Sequence, residues 1–207
     1  MQRFGFLAYP GVEELDLVGP WEMATMWRDY AHGPECVIVA EKAGALRCAK
    51  GLTIVPDHVF STCPPLDALL VPGGFATFDE MKNERVVAFV RASAVTGKHI
   101  LSVCSGSFIL LAAGLLEGRQ ATTHWKVLDR LREAGAVVVA ERFVRDGNIW
   151  SSGGVSAGLD LMLHFIAETA GVEAAGAVQH NAEYYPSHHV YGSTHRGPGM
   201  PGYMANL

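Results

Sequence analysis

The segment His99-Ile100-Leu101-Ser102-Val103-Cys104-Ser105-Gly106-Ser107-Phe108 constrains this chain most. A short apolar run with β-branched residues stops at a cysteine, Ser-Gly-Ser follows, and an apolar helical run begins. The pattern predicts strand, sharp turn and helix, with Cys104 on the turn. A thiol there projects from the carboxyl end of a strand, where open α/β sheets place their ligands. It also sits at the amino end of a helix, whose unpaired N–H groups favour a thiolate. A free cysteine is about 3% ionised at neutral pH, so such help matters to a nucleophile. A buried structural cysteine fits the turn equally well, because free Cys is among the most buried residue types.

The rest of the chain alternates in the same manner. Strands are expected over 3–9, 36–40, 67–71, 136–140 and 148–151, the last two flanking the turn Asp146-Gly147. A small hairpin is expected over 46–55, broken by Lys50-Gly51. Helices are expected over 21–30, opened by Pro20, and over 84–96, 126–134 and 156–169. Residues 10–19 read as a loop that carries acids. Alternation of this kind implies a mostly parallel sheet covered by helices. The 207 residues are expected to form one domain, with an irregular tail from about residue 185 lying on the surface or across a partner subunit.

Composition removes several function classes. A net charge of -5 argues against nucleic acid or an anionic membrane as the partner. No apolar run approaches a membrane span or the core of a signal peptide. Cysteines at 36, 48, 63 and 104 show no CxxC pair and no zinc spacing, so a reduced, cytoplasmic protein without a metal is expected. His180, His188, His189 and His195 crowd the carboxyl end without a ligand pattern. Asp160, early in a helix, is explained by the helix dipole.

Three strand ends carry the polar and glycine residues of interest. Glu13, Glu14 and Asp16 follow the first strand, Val71-Pro72-Gly73-Gly74-Phe75 another, and the cysteine turn a third. A parallel sheet brings all three loops to one edge. Gly73 and Gly74 can bring backbone N–H groups close to a ligand and, with the N–H of Ser105, could form an oxyanion hole. An ordinary tight turn explains the glycines as well, and a solvated loop explains Asp16. Phe75, Trp21 and Trp125 could line an apolar pocket, although core packing accounts for each taken singly.

Val71-Pro-Gly-Gly74, Cys104-Ser-Gly-Ser107, Gly114-Leu-Leu-Glu-Gly-Arg119 and Ala121-Thr-Thr-His-Trp125, in this order, resemble the ThiJ/PfpI superfamily, relatives of the class I glutamine amidotransferases. The likeness runs from the first strand to about Gly171. Within the superfamily, Glu14-Leu-Asp16-Leu-Val-Gly-Pro20, Thr122-Thr-His-Trp125 and Gly153-Gly-Val-Ser-Ala-Gly-Leu-Asp160 are most similar to the isonitrile hydratases. The amidase-like domains of certain transcriptional regulators are also similar.

The resemblance implies a flavodoxin-like sandwich, a mostly parallel sheet with helices on both faces and a cysteine nucleophile elbow. It implies that Cys104 is the nucleophile, with Asp16 hydrogen-bonded to it and Ser105 beside it. Gly73, Gly74, Phe75, Thr123, His124 and Trp125 are then the candidate oxyanion- and substrate-binding residues. It also implies a homodimer with no metal or organic cofactor, and a small isonitrile as the partner molecule. The peptidase-like branch has histidine directly after the cysteine, and this chain has Ser105. His124 is the obvious substitute base, but a hydrogen-bonded structural histidine fits it as well.

The expected reaction is hydration of an isonitrile to an N-substituted formamide, with Asp16 first as general acid and then as base. Three alternatives use the same residues: an amidase or glyoxalase-like hydrolase, a redox or stress protein in which Cys104 oxidises, and an effector-binding domain of a regulator. The last is disfavoured because the chain ends soon after Gly171, without room for a helix-turn-helix module.

Overall fold

A computed structural model describes residues 1–186 and 200–205. In chain order the elements are β1 (Arg3–Ala8), α1 (Glu14–Ala31), β2 (Glu35–Ala40), β3 (Leu46–Arg47), β4 (Thr53–Ile54), β5 (His58–Val59) and β6 (Ala68–Val71). Next come α2 (Thr77–Glu80), α3 (Glu84–Thr96), β7 (His99–Val103), α4 (Ser107–Ala112), β8 (Gln120–Ala121), α5 (Leu128–Glu133) and β9 (Val137–Val138). The chain continues with β10 (Phe143–Asp146), β11 (Ile149–Ser152), α6 (Ala157–Ala170), α7 (Val172–Asn181) and α8 (Gly202–Ala205).

Seven strands form the central sheet in the order β10-β11-β7-β6-β1-β2-β5. All neighbours are parallel except β10 and β11. From β1 the chain moves outward to β2 and β5 and then returns to β6 on the other side. The order therefore reverses at β1 and β6, the switch point at which such sheets open a ligand crevice. Helices α1, α6 and α7 pack together, as do α2, α3 and α4, and the two groups flank the sheet. The strands buried on both faces are almost wholly apolar, as in Ala68–Val71. Phe165 of α6 meets Phe4, Trp27 and Trp150 edge-on, at 5.7, 6.4 and 5.3 Å, tying β1, α1 and β11 into one core. Each such fully buried aromatic is worth roughly 1.5–3 kcal/mol over leaving it exposed.

The structure adds to or corrects the sequence reading at several points. Helix α1 begins at Glu14, so Asp16 is helical and Pro20 lies inside the helix. The acids of its first turn complement the helix dipole. Close packing compensates the proline: a Cβ on Gly158 would stand 2.9 Å from the Pro20 ring, and one on Gly19 would stand 3.2 Å from Leu159. The turn at Gly147-Asn148 joins Phe143–Asp146 to Ile149–Ser152. A two-residue hairpin loop requires its strands to flank it directly, so Val137–Val138 pairs instead with β8 in a separate small sheet. Helix α7 follows Gly171 without a loop. The tail from residue 185 falls largely outside the described residues, with His188, His189 and His195, and the part that is described includes the short helix α8. Asp160 does more than complement a dipole: it pairs with Arg142 at 2.5 Å and accepts from the Tyr184 hydroxyl at 3.2 Å. Among the described residues no helix is long and apolar enough to cross a membrane.

Candidate active site

At the end of β7 the backbone reverses at Cys104, which has φ +57°. A residue with a Cβ gives up on the order of 1–2 kcal/mol there, so the surroundings must hold the turn. They do so from both sides. The Cys104 N–H donates to the Gly153 carbonyl at 3.0 Å. The Cys104 carbonyl accepts from the hydroxyls of Thr123 at 2.9 Å and Ser107 at 3.3 Å. A tight 3-10 turn over Cys104–Gly106 then leads into α4. Gly106 admits no side chain, because a Cβ would sit 2.2 Å from the Val71 carbonyl oxygen and 2.8 Å from that of Pro72. Neither backbone group can retreat. Gly106→Ala is expected to cost on the order of 3 kcal/mol and to displace the thiol, which denaturant melts and an activity assay will read together.

Asp16, on the first turn of α1, is completely buried behind the cysteine. Its Oδ2 accepts from the Gly73 N–H at 3.0 Å. Its Oδ1 has no partner in hydrogen-bond geometry, and the Cys104 thiol stands next to the carboxyl. Burial pushes the Asp16 carboxyl up to about 7, aided by the nearby Glu13 charge and opposed by the Gly73 N–H, the thiol and the Val155 N–H. The Cys104 thiol is pushed up by burial and by the Asp16 charge, and pulled back by the Ser105 N–H and hydroxyl. Once Asp16 is ionised its charge disfavours ionisation of the thiol, so near neutrality the pair holds one proton more readily than none.

Ser105 is committed to the scaffold. Its hydroxyl accepts from the Gly74 N–H at 3.0 Å and faces the Gly74 carbonyl at 3.0 Å and Thr77 Oγ1 at 3.2 Å. The N–H groups of Gly73 and Gly74, read from the sequence as oxyanion donors, are therefore already engaged by Asp16 and Ser105. The Ser105 N–H, directed at the sulfur, is the donor that remains. Gly73 must be glycine for the same close approach: a Cβ would lie 2.6 Å from Ser105 N and 2.9 Å from Asp16 Oδ2.

The thiol opens into a cavity of about 270 Å³. Phe75, Phe78, Val127 and Val155 give it apolar walls. Phe75, at the mouth, is 90% exposed. Phe78 is braced by Phe108 and by the Arg130 guanidinium 4.1 Å above its ring. Val155 has φ +52°, an outlier for a β-branched residue. Two of the four non-glycine residues with positive φ among the described residues, Cys104 and Val155, thus face one cavity. Glu13, paired with Lys50, and Lys126 add charge to the lining.

His124 is also on the wall, with its Nδ1 accepting from the Lys126 N–H at 3.2 Å. Burial, and then the Lys126 charge, lower its pKa and favour the neutral ring, whose proton the Lys126 contact assigns to Nε2. Trp125 stacks beside it at 5.9 Å and does not line the cavity. Thr123 is buried and holds the elbow from behind. Trp21 is partly buried, packs edge-on to Phe6 at 5.2 Å against the core, and does not line the cavity. The sequence reading passed over Phe78, Val127, Val155, Thr77 and Tyr9. For Val155 a signal was present: Gly153-Gly154 after β11 repeats the strand-then-Gly-Gly pattern of Gly73-Gly74 after β6. The others are brought in by helices and loops without any motif.

A switch-point crevice with a strained cysteine at its floor and a buried carboxyl behind it defines an α/β protein built to present one thiol. The chain belongs to the DJ-1/PfpI family, which matches residues 2–168. It is similar to the isonitrile hydratase of Pseudomonas putida, 39% identical over 185 residues, 89% of this chain and 79% of that protein. The deglycase TK1284 of Thermococcus kodakarensis is 33% identical over 148 residues, 70% of this chain and 86% of that one. Among solved structures, a THiJ/PfpI family protein from Pseudomonas syringae superposes with a TM-score of 0.87 at 36% identity, covering 99% of this chain and 83% of that one.

Proposed function

We propose that this protein is an isonitrile hydratase, which adds water to R–N≡C and releases R–NH–CHO. The observation that carries the reading is Asp16: a fully buried carboxyl, held near neutral pKa, beside the one thiol that faces an apolar cavity. The terminal isonitrile carbon accepts a thiolate only if it gains a proton as the bond forms. The pair supplies both: sulfur bonds to carbon while the shared proton passes to the same carbon, giving the thioimidate R–N=CH–S–Cys104 and leaving Asp16 ionised. Ionised Asp16 then takes a proton from water as the water oxygen bonds to that carbon, and passes it to the nitrogen, which leaves the second water proton on the new hydroxyl. Collapse breaks the C–S bond, returns the proton to the pair and frees the formamide. A carboxyl with a pKa close to the working pH suits both roles.

Support also comes from the 39% identity with the Pseudomonas putida enzyme. A hydrolase or deglycase would use the same thiol but must expel an amine, which calls for a proton donor at the leaving group. Ser105 follows the cysteine here, with its hydroxyl tied to Gly74 and Thr77. The test uses an alkyl or aryl isonitrile in isotopically labelled water. The matching formamide bearing one labelled oxygen, with no free amine, is expected. Amine released from simple amides, with no formamide from any isonitrile, would reverse the reading in favour of the hydrolase.

A further inference from the structure

Directly after β1, Tyr9 is buried beneath the site, outside the residues that line the cavity. Its hydroxyl lies 2.7 Å from the Pro72 carbonyl oxygen, 3.0 Å from the Gly73 carbonyl oxygen and 3.0 Å from Thr77 Oγ1. A phenol has one proton to give. The shortest contact assigns it to Pro72, and the Thr77 hydroxyl then donates to the Tyr9 oxygen. The Pro72 carbonyl and the Gly73 N–H belong to one peptide unit, and that N–H is the donor to Asp16 Oδ2 at 3.0 Å. The next peptide repeats the arrangement: the Gly73 carbonyl is within reach of Tyr9, and the Gly74 N–H donates to Ser105 Oγ at 3.0 Å. One hydroxyl therefore underlies both peptides that carry the polar groups flanking Cys104.

We propose that Tyr9 is a positioning residue for the Asp16–Cys104 pair, donating to the Pro72 carbonyl so that the Gly73 N–H is aimed and polarised toward the Asp16 carboxylate. Hydrogen bonds in series strengthen one another, so donation to a carbonyl makes the N–H of the same peptide a better donor. Burial keeps the phenol protonated and able to serve. The titratable and charged groups facing Asp16 are Cys104 from the elbow, Tyr9 from the end of β1, Glu13 at the start of α1, and Lys50 from the β3–β4 hairpin, which pairs with Glu13. Of these, Tyr9 alone acts on the carboxylate through a peptide that already bonds it.

The inference rests on the reading of Cys104 and Asp16 as one acid–thiol pair, not on the substrate, so its test uses no isonitrile. Alkylation of Cys104 by iodoacetamide is followed against pH by intact-protein mass. The lower inflection reports loss of the pair's first proton. Tyr9→Phe weakens the bond to ionised Asp16, so that inflection should rise by about 0.5–1 pH unit, a threefold to tenfold change in the ionisation constant. The rate on the plateau above it should also rise, because the remaining proton spends more time on the acid. In an Asp16→Asn background, Tyr9→Phe should change nothing, since the group it acts on is gone. Site-specific replacement of Tyr9 by 3-fluorotyrosine, which retains the ring and donates more strongly, should move the inflection downward. An inflection that stays put in both variants overturns the proposal, and so does an equal shift in the Asp16→Asn background.

Discussion

Replacing Cys104 by alanine is expected to abolish turnover, by at least about 10³-fold, while leaving the fold intact. Alanine occupies the same strained turn, and the bonds that hold it there use the Cys104 backbone and not the thiol. Cys104→Ser should fail as well, because a hydroxyl in this buried site ionises far less readily than a thiol. The other three cysteines provide the control. Cys36 is buried against the Pro34 carbonyl, and burial pushes its thiol up to about 12. Cys48 is buried, Cys63 is half-buried, and burial raises both thiols. None of them lines the cavity. Each replaced by alanine should keep turnover within a few fold of wild type. Steady-state rates on the four variants, with circular dichroism to check folding, decide the matter.

Asp16→Asn should lower the rate by about 10²-fold or more, the usual worth of general acid–base catalysis. The shape survives, since the amide oxygen can still accept from Gly73 N–H, but the proton transfer does not. The pH profile should change as well. By the proposed mechanism the attacking form is the pair holding one proton, so the wild-type rate rises as pH passes through about 7. That limb should be missing from the residual activity of the variant. Stability follows with a defined sign. The folded protein holds the Asp16 proton up to about pH 7, whereas an unfolded chain releases it near the ordinary carboxyl value of 3.8. Between those values the native state binds the extra proton, so its stability is full at low pH and falls as pH rises through 7. Asp16→Asn removes this dependence, so its melting temperature should gain on wild type as pH rises from 3.8 to about 7 and hold that offset above it.

The segments whose local chemistry is unambiguous could be read from the chain alone. The apolar run before Cys104 and the Ser-Gly-Ser after it specify the elbow, and residues 84–96 are a helix with Asn83 as its cap, bonding the Arg85 N–H. The start of α1 was not legible, because Pro20 is as acceptable at a helix beginning as in this compensated interior, and the compensation comes from Gly158 on a distant helix. The occupation of the Gly73 and Gly74 N–H groups was equally hidden. Their partners, Asp16 and Ser105, lie 57 and 31 residues away. Tyr9 and Thr77 belong to the same category: a tyrosine after a strand and a threonine in a short helix carry no local mark of the bonds they make. Positive φ at Val155 is equally unmarked, since no β-branched residue announces it.

The proposed reaction turns on a covalent bond between Cys104 and the isonitrile carbon. Rapid mixing of the protein with an excess of an isonitrile, followed by intact-protein and peptide mass spectrometry on the millisecond-to-second scale, tests it most directly. The expected result is a transient adduct equal to the whole mass of the isonitrile, because the thiol adds across the carbon and nothing leaves. The adduct should map to the peptide containing Cys104, decay as formamide appears, and be absent from Cys104→Ala. Formamide production by Cys104→Ala at the wild-type rate, with no adduct on any cysteine, would rule out the covalent route.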